Sequence, residues 1–299
     1  MHRRLKFHLR LVLAITCSQA APAAAQSNPS LSERLLPLIE AHRGRVAVAV
    51  ENLEGDERFA YHADEVFPTA SLIKFPVLIE LYRQAGEGRV DLQAHVTLKA
   101  ADKVPGSGIL TAHFSDGATF PLVDAARLMI AYSDNTATNL VLDRIGIATT
   151  GETMRALGCP NTRLHSKVFR RDTSIDLERS KRYGLGSTTA AEMLLLLGKL
   201  HRRELVSREA SEAMLSHLKS CDDKHKFRRF LPEGAVLAYK TGSLDAVRTA
   251  AGILYAPAGP VALCVLTAEN DDQRWTLNNA GDQLCAEVAR EVFAAFDHR

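Results

Sequence analysis

The sequence predicts an α+β fold. An antiparallel sheet is built from both ends of the chain and flanked by helices, with an all-helical subdomain inserted at about residues 68–190. Three observations lead there. A β-branched run, Arg45-Val-Ala-Val-Ala-Val50, lies near the N-terminal end. Three further apolar runs, Ala235–Tyr239, Ala250–Tyr255 and Val261–Thr267, lie near the other. Between them, from Ser71 to Leu205, the chain reads as mostly helical.

Taken in order, the elements justify themselves locally. Asn52-Leu-Glu-Gly55-Asp56 has turn chemistry and sends Arg58–Tyr61 back as a second strand. Helical segments follow at 71–85, 121–131, 134–145, 151–157 and 190–203. Pro76 sits early in the first of these and removes a donor, so local distortion is expected there. The last opens on a capping box, with Thr189 at the N-cap and Glu192 three positions on. Ala256-Pro-Ala-Gly259 reads as a turn between strands, and Gly281–Phe296 as a closing amphipathic helix. A cleft where the middle subdomain meets the sheet is the expected small-molecule site.

The N-terminus reads as a secretory leader. Arg3, Arg4, Lys6 and Arg10 precede the apolar stretch Leu11–Cys17, and a run of small residues ends at Ala25-Gln26. That apolar core is well short of the roughly 20 residues a membrane span needs. Cleavage near Ala25-Gln26 predicts a periplasmic or secreted protein without a stable span, a single catalytic domain over 26–299. A lipid anchor on Cys17 is the alternative. The chain holds 37 basic and 35 acidic residues with four of the basic ones in the leader, so the mature charge is −2. Such a balance offers no footprint for nucleic acid. Cys159, Cys221, Cys264 and Cys285 remain, and an oxidising compartment permits disulfides whose pairing spacing does not determine. Neither C-x-x-C nor H-E-x-x-H occurs, so no metal is implied, and no organic cofactor either. Oligomeric state is left open.

Three short motifs carry the chemistry. Ser71-Leu-Ile-Lys74 stands at a helix start, where Ser and Lys three apart share one face and the amine can activate the hydroxyl. The helix N-terminus adds backbone N–H groups near Ser71 suited to an oxyanion. Ser133-Asp134-Asn135 offers a proton relay in Ser133 and an amide contact in Asn135, though all three are also good helix caps. Lys240-Thr241-Gly242-Ser243 ends a strand. Lys240 supplies positive potential, Thr241 a hydroxyl, Gly242 room for close backbone approach and Ser243 a second oxyanion N–H.

In this order the set resembles that of the class A β-lactamase-like serine hydrolases, and the resemblance runs from Leu31 to nearly the C-terminus. It implies Ser71 as the acylated nucleophile, Lys74 as general base or shuttle and Ser133 as proton relay. Asn135 would contact the substrate amide, and Lys240 with Thr241 would recognise a carboxylate. Arg248, eight residues beyond Lys240, is a candidate second cation; a surface arginine is the other reading. The substrate would be a small β-lactam or a D-Ala-D-Ala-type peptide.

One departure stands out. The family's loop glutamate, which activates the deacylating water, falls where this chain reads Ser166-Lys-Val-Phe169. Asp172 and Asp176 lie later in the loop and are expected to be solvated acids. Base assistance of that kind is worth about 10² to 10⁴ in rate. The sequence therefore supports β-lactam hydrolysis through an acyl-enzyme, with a D,D-carboxypeptidase-like penicillin-binding protein as the alternative and a non-hydrolysing penicillin or peptide sensor as a third reading.

Overall fold

The computed structural model describes residues 29–297; the segment read as a leader, with Cys17, lies outside the described residues. The chain runs α1 (Leu31–Ala41), β1 (Arg45–Asn52), β2 (Arg58–Tyr61), β3 (Phe67–Pro68), α2 (Lys74–Gly86), β4 (His95–Thr97), α3 (Leu110–His113) and β5 (Thr119–Pro121). Then come α4 (Leu122–Ala131), α5 (Asn135–Ile145), α6 (Ala148–Ala156), β6 (Arg163–Leu164), α7 (Leu177–Tyr183), β7 (Gly186–Thr188), α8 (Ala190–His201) and α9 (Arg208–Lys219). It closes with β8 (Val236–Leu244), β9 (Val247–Ala256), β10 (Gly259–Ala268) and α10 (Ala280–Ala295).

Five strands pair in the order β2-β1-β10-β9-β8. Each neighbouring pair described by register is antiparallel, including β1 with β10, where Arg45 faces Ala268. The sheet thus draws on both ends of the chain, as the sequence predicts. Side chains alternate across it. Val46, Val48 and Val50 enter one core with Leu35 of α1 and Val288 of α10. Ala47 and Ala49 enter the other with Leu72, Leu78, Met129 and Leu197 from the helices between. Small side chains on that face let the helices approach the sheet closely, and β-branched ones fill the opposite face. Arg34 of α1 meets Glu291 of α10 at 3.3 Å, binding the first helix to the last.

Several elements differ from expectation, and the inserted subdomain is not all-helical, because the short strand pairs β4–β5 and β6–β7 lie inside it. The sequence reading placed no helix at Leu31–Ala41, nor at Arg208–Lys219; both are amphipathic helices opened by serine N-caps, Ser30 and Ser207. The capping box at Thr189 is half formed. Thr189 Oγ1 accepts from the Glu192 N–H at 3.1 Å, but the Glu192 carboxylate turns instead to Asn161 and Thr162. The four cysteines are buried free thiols. Burial raises each thiol, Cys159 to about 12, which holds it in the inert neutral form. No helix among the described residues is long and apolar enough to cross a membrane.

Candidate active site

The first motif does not begin an α-helix outright. Ala70–Ile73 form a 3-10 turn, and α2 starts at Lys74. Pro76 therefore falls in the first turn of α2, where its missing N–H costs nothing, and the distortion the sequence predicts appears as the 3-10 entry. Ala70 has a φ of 47°, a conformation that non-glycine residues avoid. It turns the chain so that the half-buried Ser71 borders the cleft.

Thr69 is fixed on both sides, its N–H donating to Gly186 O at 2.9 Å and its carbonyl accepting from Thr249 Oγ1 at 2.8 Å. Gly242 completes this contact. A Cβ there would stand 2.5 Å from Thr69 O and 2.8 Å from the Ser71 nitrogen, so only glycine lets β8 lie against the turn at Ser71.

Ser133 has a φ of 53° and bridges α4 to α5. Its hydroxyl accepts from Lys74 Nζ at 3.2 Å and from Lys240 Nζ at 3.1 Å, placing it between two amines that arrive from different elements. Lys74 Nζ also donates to Ser133 O at 2.6 Å and Asn135 Oδ1 at 2.8 Å. Burial drives the Lys74 pKa well below its ordinary value; the positive Lys240 pushes the same way and Asp134 opposes. Lys240 is lowered too, chiefly by burial. Burial thus favours the neutral amine, which can accept a proton, and the hydroxyl beside it can pass one on.

Asp134 is the cap that the alternative reading of the motif anticipates, accepting from the Ala137 N–H at 2.8 Å. Its other oxygen takes the N–H groups of Ile109 and Leu110, at 2.7 and 2.9 Å, and so ties the 104–110 loop to the site. Asn135 Nδ2 donates to Pro105 O in that loop. Cap and cleft roles thus coexist in one tripeptide.

These parts surround one cleft of about 870 Å³, bordered by Ser71, Ser133, Asn135, Lys240, Thr241 and Ser243. Its size suits a small ligand. β8 is the edge strand, so one side of its main chain faces this space without a partner strand.

Arg248 does not join them. It is buried, and its guanidinium donates to the carbonyls of Leu244, Asp245 (3.2 Å), Val247 (2.9 Å) and Arg274 (3.1 Å). It lies 3.3 Å from Asp282 and stacks on Trp275. The second-cation expectation fails because neighbouring carbonyls have taken up its donors.

The loop opposite is equally specific. Val168 borders the cleft, and its main chain is gripped by Asn139, with Val168 N to Oδ1 at 2.9 Å and Nδ2 to Val168 O at 3.0 Å. Asp172 is paired with Arg170 at the surface, and Asp176 caps α7 by accepting from the Arg179 N–H. Both acids are therefore engaged away from the cleft. The sequence reading did not single out Asn139, although Asn135 and Asn139 stand four apart and share a helix face.

The fold and this constellation are those of a β-lactamase- or transpeptidase-like serine hydrolase. The chain belongs to the beta-lactamase enzyme family, whose model matches residues 30–296. It is 27% identical to a beta-lactamase of Proteus vulgaris over 223 residues, covering 74% of this chain and 72% of that one. The structure of beta-lactamase from Sphaerobacter thermophilus DSM 20745 superposes with a TM-score of 0.78 at 30% identity, covering 89% and 97% of the two chains. That of a PBP-A mutant, an acyl-enzyme complex with penicillin-G, does so with a TM-score of 0.76 at 25% identity, over 89% and 96%.

Proposed function

We propose that this protein is a serine hydrolase acylated on Ser71 by β-lactams, whose acyl-enzyme is hydrolysed slowly. The observation that carries the reading is the Ser133 hydroxyl held between Lys74 and Lys240 in the cleft that Ser71 also borders. Lys74 takes the Ser71 proton as Oγ bonds to the lactam carbonyl carbon. The N–H groups of Ser71 and Ser243 hold the oxyanion. As the C–N bond breaks, Ser133 gives its proton to the departing nitrogen and recovers one from Lys74, which ends neutral. Asn135 contacts the substrate amide, Gly242 leaves space for it, and Lys240 with Thr241 receives its carboxylate. Water then adds to the ester, releasing the acid and restoring Ser71.

The loop from 166 to 171 contributes serine, valine, phenylalanine and basic residues to the cleft, and no acid. Deacylation without a base there supports the second reading, a D,D-carboxypeptidase-like enzyme acting on D-Ala-D-Ala peptides, for which β-lactams are slow substrates. We place the activity in a single exported domain over 26–299, in the periplasm or outside the cell.

Intact-mass spectrometry of the protein with a penicillin tests this. A mass increase of one drug molecule, lasting minutes and absent from Ser71→Ala, is expected. An adduct cleared within seconds would establish an efficient β-lactamase instead. Labelling that survives Ser71→Ala would overturn the assignment.

A further inference from the structure

The end of the cleft at β8 holds a charged group that the reaction above does not use. Asp223, in the segment between α9 and β8, borders the same cleft as Thr241 and Ser243. Its carboxylate accepts from the main-chain N–H groups of His225 at 2.9 Å and Lys226 at 3.1 Å, so the turn itself fixes it in place. The Lys226 ammonium lies 3.3 Å from Asp223 Oδ2 and donates to Ser243 Oγ at 3.0 Å. The Thr241 hydroxyl adds to the groups that favour the charged carboxylate. On its other side Lys226 meets Asp282 at 3.2 Å, which also faces Arg248. The buried cations thus already have acidic partners, and Asp223 is the one of these acids that borders the cleft.

Two hydroxyls with an ammonium behind them are what an acyl donor's carboxylate needs beside its scissile amide. Here a carboxylate from the protein stands there already. We propose that Asp223 is a specificity-determining residue that occupies, in the free protein, the place on Thr241, Ser243 and Lys226 meant for the donor's carboxylate. The inference rests on the acyl-enzyme reading above. An anionic donor has to displace Asp223 or bind against it, and like charges brought together at an interface disfavour binding steeply. A donor without that charge meets no such opposition.

The test compares acylation of Ser71 by two thioesters with one acyl group. One has a thioglycolate leaving group with a free carboxylate, and in the other that carboxylate is methylated. Asp223→Asn is nearly isosteric and keeps an oxygen for the two N–H groups of the turn, so the fold is retained. It is expected to raise the ratio of anionic to neutral acylation rates about tenfold or more, while Lys226→Met lowers it. An unchanged or reduced ratio in Asp223→Asn overturns the inference and leaves the hydrolase reading intact. Wild-type protein acylated by neither thioester nor by penicillin removes both.

Discussion

Lys74 carries an amine into a place where a charged amine is costly. Burial and the neighbouring Lys240 both favour the neutral form, against the opposing Asp134. Acylation by a penicillin should therefore rise with pH through a value well below that of a free lysine, because the reactive form is the deprotonated one. Lys240→Met removes the repelling charge, so the inflection should move upward; stopped-flow acylation across pH checks this, and a fixed inflection would refute the coupling. Lys74→Ala should slow acylation by about 10² to 10⁴, the range of a lost general base. The motif residues were legible because their chemistry is written in type and spacing. Arg248 was misread because nothing in the sequence says that the carbonyls of Leu244, Asp245 and Val247 converge on it.

At the level of elements, the loop carrying Val168 hangs on one side chain of α5. Asn139→Ala leaves a buried N–H and a buried C=O of Val168 unpaired, at about 1–3 kcal/mol for each. It should lower the melting temperature and open the 165–176 segment to proteolysis. Val168→Glu puts a carboxylate on the cleft wall from a main chain already held. Clearance of the penicillin adduct should accelerate, by at most about 10⁴, in a time course followed by mass. No acceleration would mean that this wall does not face the ester. The five strands of the main sheet and most longer helices are legible in periodicity, since alternation and turn residues are local properties, whereas the two- and three-residue strands β3 to β7 are too short to carry a pattern. Amphipathic α1 and α9 are equally local but lie outside the helices the sequence reading names, whereas nothing in the sequence marks the Asp223–Lys226 pair. A loop makes it, and only folding brings the loop to β8.

For the whole molecule, the two cores share one sheet, so the α1–α10 layer and the helices over the cleft should lose structure together. Leu35→Ala, on the layer away from the site, should cost about 2–5 kcal/mol. Calorimetry should show one transition shifted downward, not a second one split off. A separate early transition would mean that the terminal helices melt independently of the rest.

The ion pair between Arg34 and Glu291 has a further consequence, for chain connectivity. It brings the beginning of the first helix beside the last turns of the final one, so the described chain is nearly a closed ring. A short tether could join those ends and a surface turn elsewhere could be opened, with the same contacts made in a different order. What the architecture asks of this sequence is its set of neighbours, and the point where synthesis begins is incidental to it.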